Sequence, residues 1–599
     1  MKQSVGCIVV CLLSLPLLAA PAPQVDRLVP AEAELAVVAR DLPGLKARWL
    51  SSPFAALWND EAMRAFFAPF HRQLAEEAWN EQLTEETGYT FDELVALFPG
   101  GIAAYVPDVT ELIEFFSSEK AGDAADLPIV VIADAGDRIE DLEALVLQLE
   151  EREAEKADAE SSYVDTVRQY RDVAVHIEQR VDLEDPKDET SWAVVDQVMV
   201  FAGTPELVHG VVDDVLDGLE TEPLALSADA GVAEHVADRD LYAYVDLRPM
   251  VPIIERQIAE ALAENNPMGL DVGVVMRALR LDAARAGFLS FGLDGSTARV
   301  RAGTTTTSDV GVFKVLALEN KPLRKVEGLP ARAVSFSVSH FDFRKAWQAL
   351  EDIFNAVNPM YLAMVGGQLK GWQEAKGVQL DLEGGLLDNI QSEVVAVQLE
   401  PEGDVETLGG MTGQDQLTIL SIADRPALER LIDAVRSGVS EGSEMFEKRE
   451  FLGTTIWTIK QASPNAATPR MAYAVTDGHL YISVGDGRAL EAVLMARSRE
   501  NAPSAWDQPA VKRAIQAVSG PVASFAYQQT DVWMETVFSM MAMACTTDDE
   551  GQYTICHPDK APTAEVFRQY LGPLVTTMTK SQQGMVADIW ILLAEGGVS

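Results

Sequence analysis

Positive charge, histidine, cysteine and long apolar runs are all scarce in this sequence. Lys and Arg total 47 against 93 Asp and Glu, giving a formal charge of −46. A surface that acidic repels phosphate backbones and excludes nucleic acid as a partner. Only seven histidines occur, and none falls in an H-x-H or H-E-x-x-H spacing. With no C-x-x-C pair either, the usual transition-metal patterns are missing, and no cofactor is expected. Four cysteines are present, two of them within the first 11 residues. Beyond Ala20 no run of 18 apolar residues exists, so no stable transmembrane insertion is expected once the leader described next is removed.

What is present suffices for a folded protein. The 599 residues are 48% hydrophobic and 23% charged, ordinary values for packed chains. Met1 and Lys2 begin a short basic start, Val5 to Ala20 is almost wholly apolar, and Ala19, Ala20 and Ala22 are small. This is the layout of a secretory signal peptide, placed at residues 1–22, and the mature chain is expected to be exported, periplasmic or extracellular. Cys7 and Cys11 leave with it. Cys545 and Cys556 remain, and in an oxidising compartment such a pair is expected to form a disulfide.

The chain reads as if written twice. Leu28-Val29-Pro30 before the run Leu35–Val38 is echoed by Leu329-Pro330 before Val334–Val338. Ile129–Asp134 is echoed by Leu417–Asp424, Ala193–Asp196 by Ala474–Asp477, and Tyr242-Ala243-Tyr244 by Phe525-Ala526-Tyr527. Asp294-Gly295 and Gln583-Gly584 sit in similar turn settings. The matches are collinear, with offsets between 281 and 300 residues. They define two tandem units, 24–315 and 316–599, joined through Thr304–Leu329.

Periodicity gives each unit a strand, a helix, two strands, a helix and a strand. In the first unit these are 127–134, 139–156, 170–181, 192–202, 205–216 and 240–247; in the second, 416–423, 426–438, 451–461, 471–484, 487–497 and 521–528. Further helices are expected over 61–80, 250–265 and 531–545. The expected class is α+β, each unit a mainly antiparallel sheet with a ferredoxin-like β-α-β-β-α-β core covered by helices.

Leu28-Val29-Pro30-Ala31, Asp41-Leu42-Pro43 with Leu45 and Trp49, Ser52-Pro53, Leu57-Trp58, Phe91–Leu94 with Phe98–Gly101, and Leu380–Leu382 with Leu386-Leu387 resemble a family of uncharacterised secreted bacterial proteins, a domain of unknown function. That resemblance implies export and this fold, and supplies no catalytic residue.

Several local patterns suggest chemistry, and each has a plainer reading. Gly438–Gly442 spells G-x-S-x-G, but a helix precedes the serine where a nucleophile elbow needs a strand, so Gly438 reads as a helix end. Gly485-Asp486-Gly487 reads as a strand-to-helix turn, since Leu490 stands where a dinucleotide loop needs glycine. His235 with Asp238 and Asp240 is the nearest approach to a ligand cluster. The acidic loops 182–189 and 548–551 suggest Ca²⁺ at most, and neither fits an EF-hand. Met534, Met540, Met541 and Met543 share a helix with Trp533 and Phe538, as core or as an adaptable groove. With no catalytic, cofactor or metal residue nominated, the expected role is an exported, non-enzymatic binding or interaction protein, its partner an unidentified protein or envelope component. The alternatives are a carboxylate-based hydrolase of envelope or extracellular polymer, with acids converging in one cleft, and a carrier of an apolar ligand.

Overall fold

A computed structural model describes residues 25–71, 84–85, 87–117, 128–156, 163–180, 187–217, 230–236, 239–264, 266, 269–294, 297–400, 416–439, 445–459, 471–485, 487–547 and 553–594. The expected leader at 1–22 lies outside them, as do residues 182–186 and 548–551 of the two acidic loops. Among the described residues no helix is long and apolar enough to cross a membrane.

The first half of the chain supplies β1 (Leu35–Ala39), β2 (Gly101–Val106), β3 (Val130–Asp134), β4 (Tyr163–Tyr170), β5 (Val173–Arg180), β6 (Lys187–Val195), β7 (Val198–Ala202), β8 (Leu241–Asp246), β9 (Ala284–Asp294) and β10 (Thr297–Thr306). The second supplies β11 (Ala333–His340), β12 (Ile390–Leu399), β13 (Gln416–Ile422), β14 (Phe446–Phe451), β15 (Thr454–Ile459), β16 (Met471–Thr476), β17 (His479–Val484), β18 (Ser524–Gln528), β19 (Leu571–Ser581) and β20 (Gly584–Leu593). All pair antiparallel in one sheet. The first half runs β4-β5-β6-β7-β3-β2-β1-β8-β9-β10. The second runs β14-β15-β16-β17-β13-β12-β11-β18-β19-β20. The two series meet where β10 pairs with β20. The class is therefore α+β, with a large antiparallel sheet.

The expected strands 192–202 and 471–484 are each a hairpin. Asp196, at φ 52°, turns β6 into β7, and Gly478, at φ 85°, turns β16 into β17. Each run carries a polar pair between its apolar stretches, Asp196-Gln197 and Asp477-Gly478, the two-residue link of a hairpin. The second unit's expected strand 451–461 holds β15 and the turn before it, at Leu452 and Gly453, both at positive φ; β14, paired with β15 ahead of that turn, was not expected, and residues 460–461 lie outside the described residues. A ferredoxin-like order would set β3 beside β8; β2 and β1 stand between them.

The sheet has two differently covered faces. On the back face, Ala36, Val38, Tyr242, Tyr244 and Phe288 pack under the helices Pro205–Leu216 and Ala230–Val236 through Val208, Val211, Val212 and Val232. In the second half, Phe336, Val338, Phe525 and Tyr527 pack under Arg488–Ser498 and Pro509–Gln516 through Leu490, Val493 and Val511. On the front face the helix Ile139–Lys156 covers Ile102, Val131 and Ala133, and the helix Arg425–Val439 covers Leu420, Ile422 and Leu480. Between these covers, β1, β8, β11 and β18 alternate buried and half-buried residues, the pattern of strands with one face packed and one accessible.

The ends of this front strip are closed by helices. At one end Leu45 and Trp49 pack on Leu293, Ala298 and Ile591. Beside them Phe66 and Phe67 meet Phe538 and Phe567 from the far end of the chain. At the other end Lys580 donates to the carbonyls of Phe313 (2.9 Å) and Leu316 (2.5 Å) and pairs with Asp309 (2.9 Å), pinning the connector to β19.

Candidate functional site

The front face holds a cavity of about 530 Å³ across β1, β8, β9, β10, β20 and β19. Its walls are apolar: Leu35 and Val37, Ala243 and Val245, Leu289, Ala302, Ala587, Met578 and Met585. Strand register explains the surface. Leu35 faces Val245 and Val37 faces Ala243; Val245 faces Gly287 and Ala243 faces Leu289; Leu289 faces Ala302; Ala302 faces Ala587; Ala587 faces Met578. One side of the pleat thus carries a transverse apolar row. Gly287 contributes no side chain, and a Cβ there would meet Val245 Cγ1 at 3.0 Å, so the floor is lowest at that point. Leu289 is 49% exposed, a large apolar side chain left open to water.

Behind the same strands the chemistry is ionic. Asp588 accepts from Arg301 (Nε, 2.7 Å) and from Arg299 (Nη2, 2.7 Å). Burial pushes the Asp588 carboxyl up, but the two guanidiniums outweigh it and hold the group below its ordinary range. His235 lies 3.3 Å from Arg301 Nη1 and stacks on Phe288, and burial lowers its pKa. His235 therefore belongs to the central seam. Asp240 instead pairs with Arg48 at 2.6 Å, so the cluster proposed from sequence is not assembled from those two residues, and Asp238 lies outside the described residues.

The remaining patterns resolve into structural roles. Cys545 and Cys556 meet at disulfide distance, their Cα atoms 5.7 Å apart, beside the Phe66–Phe538 cluster. Gly438 ends its helix against Trp372, whose ring a Cβ would approach to 2.4 Å; Ser440 to Gly442 lie outside the described residues. Gly485 (φ 127°) and Gly487 (φ 87°) form a turn, with Arg449 reaching Glu491 in the first turn of the following helix. Asp486 lies outside the described residues. Met534 and Met541 pack against the aromatic cluster, while Met540 and Met543 face solvent. Among the described residues no three His, Cys, Asp or Glu are grouped to hold a metal.

Acids with raised pKa are scattered. Glu150 is pushed up to about 7 by burial, opposed by the Trp192 indole N–H that donates to it at 2.5 Å. Burial also raises Asp134, Asp214, Asp240 and Glu34, with Asp108 and Asp246 pushing Glu34 further up. Among the described residues no Asp, Glu, His, Lys or Arg lines the cavity.

Sequence reasoning did not nominate the cavity residues. A signal was present: Leu35–Ala39 is apolar at every position, although only alternate residues are needed for the core. No family model matches this chain, and no curated protein or solved structure matches it either.

Proposed function

We propose that this chain is an exported binding protein that holds the apolar portion of a small envelope-derived molecule in the front-face groove. The observation that carries the reading is the uncovered apolar row from Leu35 to Met578 around a cavity of about 530 Å³, within the ordinary size of ligand sites. The hydrolase reading would need acids converging on a cleft, and none of the acids with raised pKa is among the residues lining this one. The open groove favours a binder over a carrier that encloses its cargo.

Two related units, 24–315 and 316–599, are part of the same proposal. They are supported by the strand order, which each half follows identically. The segments matched in sequence fall on corresponding strands: Tyr242–Tyr244 on β8 with Phe525–Tyr527 on β18, and Ala193–Val195 on β6 with Ala474–Thr476 on β16. A ferredoxin-like ancestor would require β1 and β2 to have been inserted into the core order. Export and the likeness to secreted bacterial proteins rest on the leader at 1–22 and the Leu28–Ala31 signature.

The test is titration with N-phenyl-1-naphthylamine, an uncharged apolar fluorophore whose emission rises in dry surroundings. Saturable binding at one site is expected, weakened at least tenfold by Leu289→Glu, which places a charge in the groove at a position exposed enough to fold. Binding that ignores this substitution would overturn the assignment.

A further inference from the structure

The groove is one limb of a longer strip, and the two limbs differ in chemistry at corresponding positions. In the first half, β1 and β8 present the cross-strand pairs Leu35–Val245 and Val37–Ala243 to the front face, with Ala39–Leu241 beyond. In the second half, β11 and β18 present Ser335–Gln528, Ser337–Ala526 and Ser339–Ser524 in the same register. The next strand repeats the contrast: Ala243 faces Leu289 on β9, whereas Ala526 faces Thr576 on β19. All these second-limb side chains are half-buried, and the residues between them, Phe336, Val338, Phe525 and Tyr527, fill the core behind.

The limbs are contiguous. Met578, on the cavity wall, is the cross-strand partner of Ser524, which in turn faces Ser339. The two serine hydroxyls lie 2.8 Å apart. One donor and one acceptor satisfy that contact, leaving a second donor and further lone pairs for a ligand. Among the described residues no hydrogen bond engages the Ser335 or Ser337 side chain. No Lys, Arg, Asp or Glu occupies these pairs, Lys580 beyond Met578 on the same face is committed to Asp309 and two carbonyls, and the chain carries −46 overall, so an anionic head would meet repulsion without a free counter-charge.

We infer that the ligand is an amphiphile with a neutral, hydroxyl-bearing head: its hydrocarbon lies along Leu35–Met585 and its head on the Ser337–Ser339–Ser524 row. The inference rests on the binding reading above and adds the head-group class and the direction in which the ligand lies. Apolar surface gains by burial in the first limb, and hydroxyls of the head replace water on the second.

The experiment displaces the bound fluorophore with octyl, decyl and dodecyl maltoside, each below its micelle concentration, and with dodecyl sulfate. Affinity for the maltosides is expected to rise roughly three- to fourfold per added methylene. The double substitution Ser339→Ala with Ser524→Ala is expected to weaken dodecyl maltoside about tenfold and to leave the fluorophore unchanged. Dodecyl sulfate should bind at least tenfold more weakly than the maltoside. If the fluorophore binds at Leu289 but the serine pair does not matter, or the sulfate binds equally, the amphiphile inference falls and the apolar groove stands. If the fluorophore does not bind, both fall.

Discussion

Arg301 and Asp588 face each other across the β10–β20 pairing, where the two halves of the sheet join, with Arg301 Nε 2.7 Å from the carboxylate. Both side chains are more than four-fifths buried. Removing one partner strands the other, so Asp588→Asn is expected to cost roughly 2–3 kcal/mol in urea unfolding. Replacing the whole group, Arg299→Met and Arg301→Met with Asp588→Leu, should recover most of that loss. Because the Asp588 carboxyl is held low when folded, its contribution is present at neutral pH and disappears as pH falls through that lowered value.

Glu150 gives the opposite pH dependence. Burial raises its folded pKa from 4.5 to about 7. The proton is therefore bound more tightly in the folded chain, and the stabilisation is complete below about pH 4.5 and lost as pH rises through 7. Thermal melts should show stability falling across that window, with a shallower slope in Glu150→Gln. An unchanged slope would show that Glu150 does not titrate there.

Reduction tests the cysteine pair. Closing the short loop from Cys545 to Cys556 stabilises by roughly 2–3 kcal/mol on the chain-entropy account. The Cys545→Ser, Cys556→Ser double variant should lose that amount. A non-reducing peptide map of protein from an oxidising compartment should recover the two cysteines linked.

Two helices, Thr530–Ala544 and Pro359–Lys376, should differ in local stability. The Thr530–Ala544 helix buries Phe538 in the aromatic cluster, whereas Pro359–Lys376 buries no residue and leaves Met360 77% exposed. Amide hydrogens of Pro359–Lys376 are expected to exchange sooner, by mass spectrometry, than those of Thr530–Ala544. Equal protection would point to a partner covering the exposed helix.

The helices were the most legible elements. Ile139–Lys156 and Pro205–Leu216 match the ranges that periodicity and the Thr204-Pro205 start define, because helix signals are local in sequence. Strands were legible as apolar runs and were less well divided: β6 with β7, and β16 with β17, read as single strands although Asp196-Gln197 and Asp477-Gly478 mark the turns between them. The binding groove was not legible as a site. Leu35–Ala39 against Ser335–Ser339 displays the contrast in letters, but its meaning depends on which residues lie across the strand gap.

The sequence by itself determined the acidity, the alternation that separates core from accessible face, and the collinear echoes between the halves. The tertiary structure alone decided that β2 and β1 lie between β3 and β8, that Arg301 meets Asp588 at the junction, and that the row from Leu35 to Met578 lines an open cavity among the described residues. The physical reason is range. Periodicity and capping act over a few residues, whereas strand pairing joins residues hundreds apart, and an apolar side chain becomes a binding surface only where nothing else in the fold packs on it.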